Sequence, residues 1–419
     1  MATDANKLKR ISDDLLKGRT SEELLQDLNT DSETPYARFP NGGGQCSKEA
    51  LGKRWENLTA VTEPQNLYAG EDLSSYNANI ENCIGTVKVP VGIAGPIRIN
   101  GTNAKGDYLL PLATTEAALV ASYNRGAVLI SKAGGCSAVL MSEGVTRSPG
   151  FVFKSLANVL SFSHWVLLNK EKFTKVANQT SNHCRLVDLR IAAEGNHLYL
   201  LCDFTTGDAA GQNMVTIATQ AICEYIITNT PVKPEYWFVE ANASGDKKAT
   251  AQSFTTVRGK KISVEVTIPA KLIERILHTT PERIVDYWRM SAIGGVMTGS
   301  IGIQGHYANG LAALFIACGQ DAACVAEAAV GITRFEIRDD GSFYGCVTLP
   351  NMIVGTVGGG TKLPSQNSCL EIMQLPQNGQ ARAFAEICAA TALAGEISII
   401  GSLSAGDFTH AHKSLARDR

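Results

Sequence analysis

The sequence is short of the residues that mark several common kinds of protein. Charged residues make up only 19% of its 419 positions and the formal net charge is −2. No long-range field therefore draws the chain to nucleic acid or to an anionic membrane. Seven histidines and eleven cysteines are scattered, with no CxxC pair and no HExxH motif, so a metal site has no support. The opening Met1-Ala2-Thr3-Asp4 lacks an apolar h-region, and no run reaches the ~18–20 uncharged apolar residues that a membrane helix needs. An odd number of cysteines in such a chain suggests free, buried thiols and a reducing cytoplasm. What is present is apolar bulk, 44% of residues, enough for a sizeable core, in a chain long enough for two or three domains.

One polar stretch, Ser244-Gly245-Asp246-Lys247-Lys248, stands between two segments of strand character, Tyr236–Val239 and Ser253–Val257. A carboxylate followed by two ammonium groups, opened by glycine, can bring a cation to a developing oxyanion. Taken alone, the same residues read more simply as a solvated turn. Residues 1–35 read as two short helices, the second opened by a Thr20-Ser21-Glu22-Glu23 capping box, and a polar helix follows over 47–58. From 81 to 103 alternation and Gly/Pro punctuation suggest strands joined by tight turns. Pro111-Leu112-Ala113-Thr114-Thr115-Glu116 opens a small-residue helix (117–130), with Thr114 or Thr115 as N-cap and Glu116 in its first turn.

After Arg147 the pattern becomes strand, helix, strand, strand, helix up to about Tyr236, a β-α-β-β-α order that fits an antiparallel sheet covered on one face. Gly207-Asp208-Ala209-Ala210-Gly211-Gln212-Asn213-Met214 begins the last helix of this unit. Its small residues and helix N-terminus suit a phosphate; the alternative is Asp208 as a plain N-cap. It is not a GxGxxG fingerprint, so a standard Rossmann fold is unsupported. A glycine-rich helical region runs from about 281 to 317, and Asp321 follows as a cap for the next helix. Asp339-Asp340-Gly341 turns a hairpin. Gly355-Thr356-Val357-Gly358-Gly359-Gly360-Thr361 is either a backbone-donor loop for a diphosphate or a tight turn between packed elements. A small-residue helix (382–395) precedes a polar tail carrying His412.

Glu116, Lys247, Asp321 and His412, with two phosphate-type elements, are the components for reducing a thioester with a nicotinamide cofactor. The motifs that carry them are ENCIG and VPVGIAGP (81–85, 89–96), PLATTE, LVAS and NRG (111–116, 119–122, 124–126), GDAAGQNM (207–214), DKK (246–248), ACGQDAA (317–323) and GTVGGGT (355–361). In this order they resemble the class I 3-hydroxy-3-methylglutaryl-CoA reductase family, catalytic part only, over roughly residues 50–417.

The resemblance implies an α+β fold. A large mixed helix/sheet domain (81–147 plus 249–419) would be built around a long central helix. It would carry an inserted ferredoxin-like cofactor domain (148–238), a connecting catalytic loop (239–248) and a small helical N-terminal domain (1–80). It implies Glu116 as the acid, Lys247 as the oxyanion lysine, Asp321 as the modulating carboxylate and His412 as the proton donor to the thiolate. Ser181, Asn182, Arg185, Asp208, Gly211, Asn213, Gly358, Gly359 and Gly360 fall at cofactor positions. Asn124, Arg125, Arg147, Glu240, Lys248, Met290, His306 and Asn309 fall at substrate positions. The cofactor would be NADPH, with NADH open because Asn182 stands where the family has an arginine. Partners would be an acyl-CoA or carrier-bound thioester and a second copy of the chain, as a homodimer or homotetramer with active sites between subunits. The product would be an alcohol on the mevalonate route to isoprenoids.

Two departures concern specificity. Glu240 stands where the family has a serine, and Met290 where it has a lysine for the substrate's distal carboxylate. A repelled or unpartnered charge in a dry pocket is costly, so these two residues lead to the expectation of a different, less anionic acyl group. A homologous reductase of another thioester, a partial reductase that stops at the aldehyde and a non-catalytic nucleotide- or acyl-CoA-binding relative are the competing readings.

Overall fold

The computed structural model describes residues 5–27, 45–56, 67 and 73–406. Helices α1 (Ala5–Leu15) and α2 (Ser21–Asp27) come first. The expected capping box closes α2: the Thr20 amide donates to Glu23 at 2.6 Å and the Glu23 amide to Thr20 Oγ1 at 3.2 Å. Helix α3 (Lys48–Glu56) contributes Leu51 to a small separate core with Cys46, Leu73 and Cys83.

The main body follows as β1 (Val91–Gly101), β2 (Lys105–Ala113), α4 (Leu119–Lys132) and β3 (Cys136–Arg147). Then come β4 (Gly150–Val152), α5 (Leu156–Leu168), α6 (Lys170–Asn178), β5 (Arg185–Glu194), β6 (His197–Thr205), α7 (Gln212–Asn229) and β7 (Tyr236–Phe238). The chain continues through β8 (Gly259–Ile268), α8 (Ala270–Leu277), α9 (Pro281–Thr298), α10 (Tyr307–Ala317), α11 (Val325–Ala328), β9 (Ile332–Ile337), β10 (Phe343–Met352), α12 (Pro364–Ile372) and α13 (Gln380–Ala405).

The strands join in the order β7-β4-β6-β3-β8-β10-β9, with β5 on the free side of β6 and the β1–β2 hairpin attached to β3. Strand β3 is the seam. Ser137–Gly144 pair with β8, and Val145–Arg147 pair with β6. Beyond the seam, β7-β4-β6-β5 are all antiparallel neighbours, the order of a split β-α-β unit and the ferredoxin-like arrangement expected. Asn169 separates α5 from a second helix, α6, that the sequence pattern did not resolve.

The long helix at the centre is α13, 26 residues and buried along nearly its whole length. It is the one described helix long and apolar enough to cross a bilayer, but 94% of its apolar window is buried inside the protein, as in a core helix. Small residues let it be approached closely: a Cβ on Gly126 of α4 would overlap the Ala394 backbone. Tyr123 fills the space between α10 and α13, where Cβ atoms on Gly310 and Gly395 would strike its ring.

Three local expectations fail. The region 281–317 is two helices, broken where Gly299 takes φ +71° as the C-cap of α9. Residues 253–257 do not form a strand, because Thr255 and Thr256 donate back to the Gln252 carbonyl, closing a short 3-10 turn. Helix α4 begins at Leu119, after Ala118 at φ +67°. Glu116 therefore lies in the preceding turn, where Thr114 Oγ1 accepts its amide at 3.0 Å, and not in the first helical turn.

Candidate active site

Lys247 has the left-handed backbone of a turn, φ +57°, two residues after Gly245 at +75°. Its ammonium lies 2.8 Å from Asp321 Oδ2, with both side chains 44% exposed. The hydrogen bond from Lys247 to Asp321 raises the lysine above its ordinary range. Asp321 also fills the capping role expected of it, accepting from the Ala323 amide at 3.0 Å. A lysine raised in this way stays cationic to higher pH. Asp321→Asn is expected to move the alkaline limb of kcat to lower pH as well as lowering the plateau, and a pH–rate profile measures both.

Glu116 meets Asn309, whose Nδ2 donates to Oε1 at 3.3 Å. Asn309 and His306 stand at the start of α10, and Asp321 lies beyond its end. A helix rises ~1.5 Å per residue, so within one chain the Glu116 pair and the Lys247 pair sit at opposite ends of α10. His306 stacks on Tyr123, ring centroids 5.6 Å apart. Its Nδ1 is 3.5 Å from the buried Glu396, which also accepts the Gly305 and His306 amides at 2.7 and 2.8 Å. His412 lies outside the described residues.

Beneath Lys247 is a largely buried ionic cluster. Arg147, at the end of β3, bonds Asp246 at 3.0 Å, Glu240 at 3.3 Å and the Gln212 side chain at 3.3 Å. Arg258 reaches Asp246 and Gln212 at 2.8 Å each and Glu327 at 2.6 Å. Burial alone would raise the Asp246 carboxyl, but Arg258 and Arg147 beside it hold it below the usual carboxylate range.

Glu240 departs from expectation. Its carboxylate accepts from the Ser148 and Asn242 amides at 3.1 and 2.7 Å and from Ser244 at 3.2 Å, besides its contact with Arg147. Its charge is met within the chain by Arg147, which it shares with Asp246, and by three hydrogen-bond donors. Lys248 bends back, donating to the Asp246 carbonyl at 2.7 Å. Asn124 accepts the Gly95 amide at 3.0 Å, and Arg125 holds Ser398 through its Oγ and carbonyl at 3.0 and 2.9 Å. Met290 is 76% exposed on the outer side of α9, on the wall of a cleft of about 750 Å³ that Ala249 and Gln304 also line.

The two glycine-bearing motifs meet. A Cβ on Gly355 would strike Asp208–Ala210, and the Thr356 amide donates to the Asp208 carbonyl at 2.8 Å. Gly358 and Gly359 have φ +79° and +53°, with open space where a Cβ would stand. Gly360 is instead wedged against Gly319, its would-be Cβ 2.7 Å from the Gly319 carbonyl oxygen. Asp208 does not cap α7. That position belongs to Gly211 at φ +85°, while the Asp208 carboxylate accepts the Ala381 amide at the start of α13.

Asn213 is exposed in the first turn of α7. Arg185 pairs in register with Thr205, so Ser181 and Asn182 lie at the same end of the sheet as the 206–211 loop. The Arg185 guanidinium caps the Ser181 and Cys184 carbonyls. Gln212, in the same motif as Asn213, turns its carboxamide toward Arg147 and Arg258.

Arg258, Glu327 and Glu396 belong to none of the motifs that point to the site. The signal available for the two glutamates was an acidic residue inside an otherwise apolar run, Ala-Cys-Val-Ala-Glu-Ala-Ala for Glu327 and helix 380–405 for Glu396. Such a residue must find partners when buried.

An ammonium ion-paired to a carboxylate, with an open glycine-lined loop in the same fold, is compatible with an oxidoreductase that acts on a carbonyl. The family model described as hydroxymethylglutaryl-coenzyme A reductase matches residues 50–417. Among curated proteins, the 3-hydroxy-3-methylglutaryl-coenzyme A reductase of Methanocaldococcus jannaschii is 41% identical over 404 residues, covering 94% of this chain and 99% of that one. The protein of the same name from Pyrococcus horikoshii is 42% identical over 389 residues, 91% and 94% of the two chains. The class II enzyme structure from Streptococcus pneumoniae described as bound to NADPH superposes with a TM-score of 0.65 at 18% identity, over 86% of this chain and 97% of that one, which shows the shared fold. The chain belongs to the hydroxymethylglutaryl-coenzyme A reductase family.

Proposed function

We propose that the protein reduces the thioester of 3-hydroxy-3-methylglutaryl-CoA to the alcohol mevalonate, with NADPH as reductant and release of coenzyme A. The observation that carries this reading is the Lys247–Asp321 pair at 2.8 Å in a chain of this family. Relatives of that name, about two-fifths identical over nine-tenths of the chain, favour this acyl group over a different thioester. The internal pairing of Glu240 removes the repulsion that argued otherwise.

The residues suit a dinucleotide. Gly358 and Gly359 offer backbone with nothing standing over it, beside the Asp208–Gly211 loop at the start of α7. These would hold the diphosphate, and exposed Arg185 is the nearby cation for a 2′-phosphate. NADPH, when bound, supplies hydride.

In the chain's own part of the mechanism, Lys247 holds the negative charge that forms on the carbonyl oxygen, and Asp321 keeps that lysine protonated and aimed. Collapse of the hemithioacetal releases a thiolate, whose proton we assign to His412 by the resemblance of the tail. Glu116, oriented by Asn309, delivers the proton that completes the alcohol. The segment 148–238 acts as the cofactor unit and 239–248 as the connecting loop.

The two halves of the site at opposite ends of α10 favour an active site shared with a second copy. Met290, Ile293, Val296 and Met297 expose one apolar side of α9, a surface such a copy would cover. All eleven cysteines are free, which suits the cytoplasm.

The test is stoichiometry with purified protein: two NADPH oxidised per coenzyme A released, faster than with NADH, by a species that sediments as a dimer or a multiple of it. Absence of NADPH oxidation with hydroxymethylglutaryl-CoA, or one equivalent with an aldehyde product, overturns the reading.

A further inference from the structure

We propose that Glu327 is a positioning residue for the reaction, fixing from below the backbone on which the Lys247 ammonium is carried. The inference rests on the reductase reading above. Glu327 comes from the short helix α11 and is fully buried, 0% exposed. Its Oε1 accepts the Lys247 backbone N–H at 3.2 Å, and its two oxygens take Arg258 Nη1 at 2.6 Å each. Arg258 passes the restraint on through Nη2, to Asp246 Oδ1 and to Gln212 Oε1, both at 2.8 Å. The loop is thus tied at Asp246 by its side chain and at Lys247 by its amide.

Lys247 needs such a tie. Its φ of +57° is a conformation that L-residues with side chains seldom adopt, and such positions persist only where the surroundings over-determine them. The side chain is held separately, at its tip, by Asp321. One segment, 321–327, therefore grips the lysine at both ends, Asp321 at the ammonium and Glu327 at the amide. The ammonium must meet a reacting oxygen to within a few tenths of an ångström, so backbone freedom at this residue lowers turnover without weakening the binding of either substrate.

The rival account makes Glu327 a counter-ion for Arg258 and nothing more. Removing Glu327 alone leaves Arg258 with less compensation in a buried place and risks unfolding, so the test removes both charges. Arg258→Met with Glu327→Gln keeps a carbonyl oxygen for the Lys247 amide; Arg258→Met with Glu327→Met does not. The expected result is a kcat at least ten-fold lower in the second double variant than in the first, with KM for the thioester and for NADPH alike within three-fold. Equal kcat in the two folded variants overturns the proposal.

Amide hydrogen exchange at Lys247 in the wild-type protein decides the matter if the second variant does not fold. A slow amide under a half-exposed side chain supports the tie, and exchange at the free-peptide rate overturns it. Turnover of hydroxymethylglutaryl-CoA by the wild-type protein is measured first. Its absence would overturn the reductase reading, while the exchange result would still settle whether Glu327 holds the loop.

Discussion

Lys247→Ala is expected to lower kcat by about 10²–10³-fold, the usual consequence of removing one donor to a developing oxyanion. Little stability should go with it. The side chain is nearly half exposed and its ion pair with Asp321 is a surface one, a kind that contributes little to folding. A melting temperature close to that of the wild type, with retained NADPH binding, would separate lost chemistry from lost structure. Lys247→Arg keeps the charge but exchanges a compact ammonium for a planar fork, so it should recover only part of the activity. Steady-state kinetics on the three proteins check this, and unchanged turnover in the alanine variant would remove Lys247 from the mechanism.

Glu396→Ala should cost both fold and function. The Glu396 carboxylate is completely buried in α13 and accepts from the Gly305 amide, the His306 amide and Thr333 Oγ1, at 2.7–2.8 Å. The two amides are part-buried, and Thr333 Oγ1 keeps Tyr307 as a partner. Each buried donor left unpaired costs about 1–3 kcal/mol, so a loss on the order of 1–3 kcal/mol is expected. The same change frees the loop that starts α10, and with it Asn309, the partner of Glu116. Thermal denaturation should show a clear drop in melting temperature, and kcat should fall although Glu396 itself is remote from the Lys247 pair. Glu396→Gln retains an oxygen for the amides and should lie between the two. A variant as stable and as active as the wild type would show that this carboxylate supports neither.

Local sequence chemistry went a long way with this chain. The capping box at Thr20, the Asp339-Asp340-Gly341 hairpin and the β-α-β-β-α order after Arg147 could be read from periodicity and turn residues, and the structure has all of them. The errors arose where a local rule met a competing one. Thr114 looked like a cap for the helix after Glu116, but it turns the backbone back on itself and delays the helix to Leu119. Asp208 looked like the cap of α7 and instead serves the start of α13, far along the chain. Glu240 looked like a free charge in a pocket because sequence does not reveal that Arg147 and two backbone amides converge on it.

By itself, then, the sequence determined most of the elements, their order and the family, and it named Glu116, Lys247 and Asp321 as the candidate acid, lysine and aspartate. Those depend on side-chain periodicity, turn conformations and short motifs, all of which act over a few residues. Only the tertiary structure decided which carboxylate holds the lysine's tip, which one holds its backbone, and that Glu240 is spent on Arg147. Buried charges choose partners by proximity after packing, and the low-dielectric interior makes each choice costly to leave unmet; no spacing along the chain encodes it.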